Sequence, residues 1–208
     1  MLNIRHFLPS ATLLVAISSS ANAAIVVYTS QGLWNTAVAN ASLVVETETF
    51  NEVTGDFYES PFSGSTASVE WSASASEGLV VQGGVLSTDV PETLTFTFTP
   101  GVRAVAGNFF GTDIEFNNAS VIFTVALSNG TSYSGEASSP ASFTGFRSTN
   151  AATISSLTIE VESAQGFMGG EMPPVYPSVD NLYFGVPGPG AIALLGAAGL
   201  IGLRRRRN

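Results

Sequence analysis

The chain has 208 residues and a formal charge of −9, with 45% hydrophobic and 11% charged residues, no cysteine and one histidine, His6. All 16 acidic residues lie between Glu46 and Asp180, where the only basic residues are Arg103 and Arg147 and no lysine occurs. Such an acidic body repels phosphate backbones, which excludes nucleic acid as a partner. Lacking His, Cys and Lys, it also excludes a Ser-His-Asp triad, a Cys-His dyad, a Schiff-base lysine, zinc sites built on His or Cys, and disulfides.

In chain order, residues 1–23 read as a secretory signal peptide. Arg5 and His6 form a weakly basic start, residues 8–17 an apolar run, and Ala21-Asn22-Ala23 a small-residue cleavage site. Residues 24–29 are a β-branched run and predict a first strand. Ser30 stands as the N-cap of one short helix over residues 31–39, with Leu33, Trp34, Ala37 and Val38 as its apolar stripe and Trp34 as a core anchor.

After Asn40 the period changes to two. Residues 43–50 alternate, carrying Glu46, Glu48 and Phe50 on one face. Residues 51–64 read as a loop, residues 69–76 as a polar edge strand containing Trp71, and residues 79–86 as two short strands or a bulge around Gly83-Gly84. Thr93 to Thr99 is the clearest strand, with Leu94, Phe96 and Phe98 facing a core and four threonines facing away. Pro100-Gly101 turns the chain and residues 102–110 return. Val121, Phe123, Val125 and Leu127 alternate next and run into Asn129-Gly130, a strong hairpin signal. Residues 142–146 and 157–161 supply further strands, residues 165–177 a Gly/Pro-rich loop, and residues 179–184 the last strand. About ten short strands with turn signals at regular spacing, after one early helix, argue an all-β chain folded as an antiparallel β-sandwich over residues 24–185.

The tail, residues 186–208, reads as a breaker, an apolar helix and a positive block. Pro187, Gly188 and Pro189 interrupt regular structure; residues 191–203 carry no charge; Arg204, Arg205, Arg206 and Arg207 follow. Thirteen helical residues rise only ~20 Å, and counting from Val186 gives roughly 27 Å, enough for one pass through a thin bilayer. The arginines hold that end in the cytoplasm.

This order of Pro-Gly-Pro, apolar run and Arg cluster resembles the PEP-CTERM protein-sorting signal of Gram-negative bacteria, a tail also known as an ice-binding protein C-terminal domain. The resemblance implies export through the inner membrane, transient anchoring by a C-terminal single-pass membrane helix, and processing by an exosortase, often alongside exopolysaccharide production. Gly188 stands where the family has Glu. The body is similar to those of many PEP-CTERM proteins as well. The similarity rests on residues 103–111, 121–130, 143–146 and 157–161, on Asp180-Asn181-Leu182-Tyr183-Phe184-Gly185, and on the early helix before Phe50-Asn51-Glu52. It implies a jelly-roll-like sandwich akin to carbohydrate-binding modules.

With the other chemistries removed, paired carboxylates are the catalytic option that remains. Glu46/Glu48, Asp113/Glu115 and Glu160/Glu162 are pairs on one strand face, where a glycan-active enzyme needs an acid and a base flanking a cleft. Alternation on a solvated face produces the same pairs. Asp113, Glu115, Asn117 and Asn118 gather oxygen ligands on one loop, and Asp180 opens the last strand, so structural calcium has Asp113, Glu115, Asn117 and Asp180 as candidates. Turn formation is the competing use of such residues. The Thr93–Thr99 ladder resembles the arrays of ice-binding surfaces, but an array needs several stacked strands and in the sequence only this one shows it. The expectation is an exported cell-surface or extracellular-matrix protein without catalytic activity. The alternatives are a carbohydrate-binding module associated with exopolysaccharide, with or without calcium, and a carboxylate-based glycan-active enzyme.

Overall fold

The structure is a computed structural model and describes residues 24–53, 56–150, 152–164 and 173–188. The expected signal peptide, residues 165–172 of the Gly/Pro-rich loop, and the tail from Pro189 through Arg204–Arg207 lie outside the described residues.

Two antiparallel sheets face one another across a hydrophobic core, as the alternating strands predict. The first strand is β1 (Ile25–Tyr28), followed by α1 (Gln31–Asn40) and β2 (Leu43–Glu48). Next come β3 (Phe57–Tyr58), β4 (Phe62–Ser65), β5 (Glu70–Ser74), β6 (Leu79–Gln82), β7 (Val85–Thr88) and β8 (Leu94–Phe98). β9 (Ala104–Thr112), β10 (Asn118–Ala119), β11 (Val121–Leu127) and β12 (Ser132–Ala137) follow. β13 (Phe143–Ser148), β14 (Ser156–Ser163) and β15 (Tyr176–Pro187) complete the fold. The larger sheet has the order β1-β13-β9-β15-β7-β6-β3, with β10 on β9 and β2 on β15; the smaller has the order β12-β11-β14-β8-β5-β4.

Alternation decides which face each strand buries. Leu94, Phe96 and Phe98 are buried while Thr97 is exposed, and Val121, Phe123, Val125 and Leu127 are buried while Ile122 is exposed. Two tight turns have the backbone their residues allow: Gly83 and Gly84 both take positive φ between β6 and β7, and Gly130 does so between β11 and β12.

Helix α1 makes a third layer. Its Trp34 and Val38 form a separate apolar cluster with Leu43, Ala104 and Ala106, on the face of the larger sheet away from the main core. All nine residues of β9 are buried: Ala104 and Ala106 lie beneath the helix, and Val105, Phe109 and Phe110 join the main core. Ser30 sits at the N-cap in an extended conformation, but its side chain makes no capping bond; its carbonyl accepts the Trp34 N–H at 3.0 Å.

Four expectations need correction. Leu33 is 66% exposed, because the helix rests through the i, i+4 pair Trp34 and Val38, about 100° round from it. The stretch with Trp71 is an inner strand, and the edge is β4, drawn from residues that read as loop; Pro61 and Gly64 masked so short a strand. Beyond Pro100-Gly101 the chain does not return beside β8 but crosses to the other sheet as β9, since a turn signal does not say which sheet follows. The last strand runs from Tyr176 to Pro187, crossing the expected boundary after Gly185; Val186 pairs with Val44 and Pro187 with Leu43. The ladder ends at the proline, which has no N–H to continue it. Among the described residues no helix is long and apolar enough to cross a membrane.

Candidate functional site

The carboxylates on β2 are committed to holding the two sheets together. Glu46 Oε2 accepts the Thr66 hydroxyl at 2.5 Å and the Ser68 N–H at 2.9 Å, and its Oε1 accepts the Ser68 hydroxyl at 2.5 Å. All three donors come from the turn between β4 and β5, in the opposite sheet. Burial pushes the Glu46 carboxyl up, and the hydrogen bonds from Ser68 and Thr66 outweigh it, so the pKa falls below the ordinary value. Glu48 Oε1 accepts the Phe50 N–H at 2.8 Å and Oε2 the indole N–H of Trp71 at 3.1 Å. As placed, this pair has its lone pairs directed at structural donors.

Asp113 and Glu115 sit in the turn between β9 and β10. Asp113 Oδ1 accepts the N–H groups of Glu115 at 2.8 Å and Asn117 at 2.9 Å, and Oδ2 accepts Asn117 Nδ2 at 3.1 Å. The Asn117 side chain, against a weaker effect of burial, holds the Asp113 carboxyl below its usual range. Asp113 thus acts as the turn former. Of the calcium candidates, Asp113, Glu115 and Asn117 come together, whereas Asp180 lies on β15 opposite Asn108, roughly 15 Å along the strand from the turn. No group of three or more His, Cys, Asp or Glu able to hold a metal ion occurs among the described residues.

Glu160 and Glu162 lie on β14 and line a groove of about 550 Å³ with Glu92, Pro173 and Pro174. Glu160 accepts the Thr93 hydroxyl at 3.4 Å. Glu92 is bound by the Ser76 hydroxyl and by the Glu77 N–H, which overcome the effect of burial and lower its pKa. The two basic side chains are engaged too. Arg103 Nη2 donates to the Asn150 carbonyl at 2.9 Å, and Arg147 donates through Nε to the Tyr28 hydroxyl and through Nη1 to the Ser148 carbonyl.

At Asp180-Asn181 the ladder between β15 and β9 shifts register, so that both residues oppose Asn108. At the same place β15 changes its other neighbour, from β7 at Ser178 and Val179 to β2 from Leu182 onward. Asn181 Nδ2 donates to Asn108 Oδ1 at 3.4 Å. Burial pushes the Asp180 carboxyl up; burial, with the Asp180 charge nearby, likewise raises the Tyr183 phenol, against a hydrogen bond from Gln31.

The threonine ladder acquires neighbours that the sequence did not show. Thr97 lies between Ser72 and Ser156, and Ser63 pairs with Ser72, while Thr95 lies between Ser74 and Thr158. Hydroxyls therefore run in rows across the outer face of the smaller sheet. Over β4, β5 and β8 this face is hollowed into a groove of about 540 Å³ lined by Ser63, Ser65, Glu70, Ser72, Thr97 and Thr99. Adjacent strands in a sheet rotate by about 20–25° on average, which works against the planar lattice that ice would require. Trp34 is fully buried, with Nε1 donating to the Phe146 carbonyl at 3.3 Å, which makes it the core anchor that its place on the helix predicts.

Compared with family models, with curated proteins and with solved structures, the chain matches none.

Proposed function

We propose that this is an exported, tail-sorted protein of the cell surface or extracellular matrix whose β-sandwich body is not a catalyst. The observation that carries the non-catalytic reading is the use of Glu46 and Glu48. The carboxylates of this candidate pair are each held by two or more protein donors, and they join sheets instead of flanking a cleft. Sorting rests on the sequence: a signal peptide at residues 1–23, then Pro187-Gly188-Pro189, an apolar run and Arg204 to Arg207. In this reading the sandwich is of jelly-roll type, the tail spans the inner membrane once, and an exosortase removes it. Mass spectrometry of the exported form tests the reading. It expects a chain beginning at Ala24 and lacking Arg204 to Arg207; an intact basic end on the exported protein overturns processing.

A second reading, a carbohydrate-binding module for exopolysaccharide, is favoured by the hydroxyl rows and the groove on the smaller sheet. Hydroxyl side chains both donate and accept, which matches the hydroxyls of a neutral glycan. A glycan array with and without calcium tests it, and absence of binding in both conditions overturns it. Dependence on calcium would direct attention to Asp113, Glu115 and Asn117.

A further inference from the structure

A cleft of about 260 Å³ lies between β12, at the edge of the smaller sheet, and the start of β13 in the larger one, beside the segment 138–142 that joins them. Tyr133, Phe123, Thr144, Thr29 and Ser142 line it. Tyr133 is half-buried, and its ring is set by an unusual neighbour: a Cβ at Gly135 would lie 3.1 Å from both Tyr133 Cε1 and the Tyr133 hydroxyl. The ring therefore lies lengthwise along its own strand over the glycine, with its centroid 6.1 Å from that of Phe123 and the planes tilted by 55°. Among the described residues its hydroxyl has no hydrogen-bond partner.

Thr144 supplies the second element. It comes from the other sheet and is only 1% exposed, yet its hydroxyl makes no hydrogen bond among the described residues. Among the described residues Arg103 Nε is the fully enclosed side-chain polar atom left without a partner, so the Thr144 hydroxyl is not sealed in and opens toward the cleft. A hydroxyl that opens toward the cleft without a protein partner is free to donate to, or accept from, a ligand hydroxyl. Neither Arg103 nor Arg147, the basic residues of the body, lines the cleft, whereas Glu136 does, so an anionic ligand is disfavoured.

We infer that this cleft is a binding site for one ring of a neutral saccharide, with Tyr133 as the stacking platform and Thr144 and Tyr133 as hydroxyl partners. A pyranose offers what the walls require: an apolar C–H face for the aromatic ring and hydroxyls at its rim for the unpaired groups. The volume falls just below the ~300–1,000 Å³ of drug-sized pockets, which suits a single ring of a chain. The inference rests on the carbohydrate-binding reading above and moves its contact from the open groove on the smaller sheet to the cleft between the sheets.

The test is calorimetric titration of the full chain in detergent with hexasaccharides of glucose, mannose and galactose. Tyr133→Ala, Tyr133→Phe, Thr144→Val and, on the open groove, Thr97→Ala are titrated alongside, with circular dichroism to establish folding. Tyr133→Ala is expected to weaken binding at least about tenfold, Tyr133→Phe and Thr144→Val only several-fold, and Thr97→Ala not at all. Binding that is unchanged in Tyr133→Ala and Thr144→Val overturns the cleft while leaving carbohydrate binding standing, and loss in Thr97→Ala alone places the contact on the groove. If none of the hexasaccharides binds the unsubstituted chain, both readings fall.

Discussion

The indole N–H of Trp71 donates to Glu48 Oε2 at 3.1 Å, a bond from an inner strand of one sheet to an edge strand of the other. The other oxygen of Glu48 accepts the N–H of Phe50, whose φ of 55 puts a large aromatic residue in the left-handed region. One carboxylate thus satisfies a donor on a side chain 3% exposed and holds a strained backbone in place. Glu48→Gln keeps one acceptor and is expected to cost about 1–2 kcal/mol, and Glu48→Ala about 3 kcal/mol. Urea unfolding measures both; a cost under about 0.5 kcal/mol for the alanine variant, the range of ordinary surface substitutions, sinks the assignment.

Glu46 should make stability fall in acid. Its folded pKa lies below the ordinary 4.5, because the bonds from Ser68 and Thr66 overcome burial. A carboxyl with a depressed folded pKa stabilises the fold above its unfolded value, and that contribution disappears as pH falls through the folded value. Removing the charge with Glu46→Gln should flatten the decline below about pH 4.5. Denaturant midpoints at stepped pH read this directly, and an unchanged slope would rule it out.

Much of this sandwich is legible in the chain because alternation reports burial strand by strand. Leu94-Phe96-Phe98 and Val121-Phe123-Val125 show it plainly, and Asn129-Gly130 marks its hairpin. What alternation cannot report is which sheet a strand joins, so the crossing after Pro100-Gly101 is not visible. Nor does it show that β9 is covered on both faces, since Ala104 and Ala106 read as small residues until Trp34 is laid on them. The partners of Glu46 and Glu48 in the opposite sheet lie twenty or more positions away, and no local pattern links them. The cleft left one trace: Gly135 follows Tyr133 by two positions, on the same strand face, where an aromatic ring can lie flat.

Asp180 is expected to act in the opposite sense to Glu46. Burial raises its folded pKa above the ordinary 3.8, so the folded state holds the proton more tightly than the unfolded chain. The penalty is absent below the unfolded value and grows as pH rises from there through the folded value. Asp180→Asn should therefore be more stable than the parent at neutral pH, with the difference closing as pH drops below about 3.8. A variant less stable than the parent at pH 7 would mean that the carboxylate has a partner or a ligand to serve.

One of the two buried side chains that hold helix α1 to the larger sheet, Trp34, sits in a close fit. A Cβ added at Gly145 would sit 2.4 Å from Trp34 Cδ1, so the indole occupies the space that any side chain on β13 would need. Phe143 and Tyr183 flank the ring at centroid distances of 6.1 Å, leaving little room for it to move aside. Gly145→Ala should cost about 1–3 kcal/mol by overpacking, and Trp34→Ala about 3–5 kcal/mol by leaving a cavity and freeing the helix. Because both act on one contact, their effects should not add. Trp34→Phe, with a smaller ring, should make Gly145→Ala cheaper than it is alone, by about 0.5 kcal/mol or more in a double-mutant cycle. Simple additivity in that cycle would show that the helix is held by something other than Trp34.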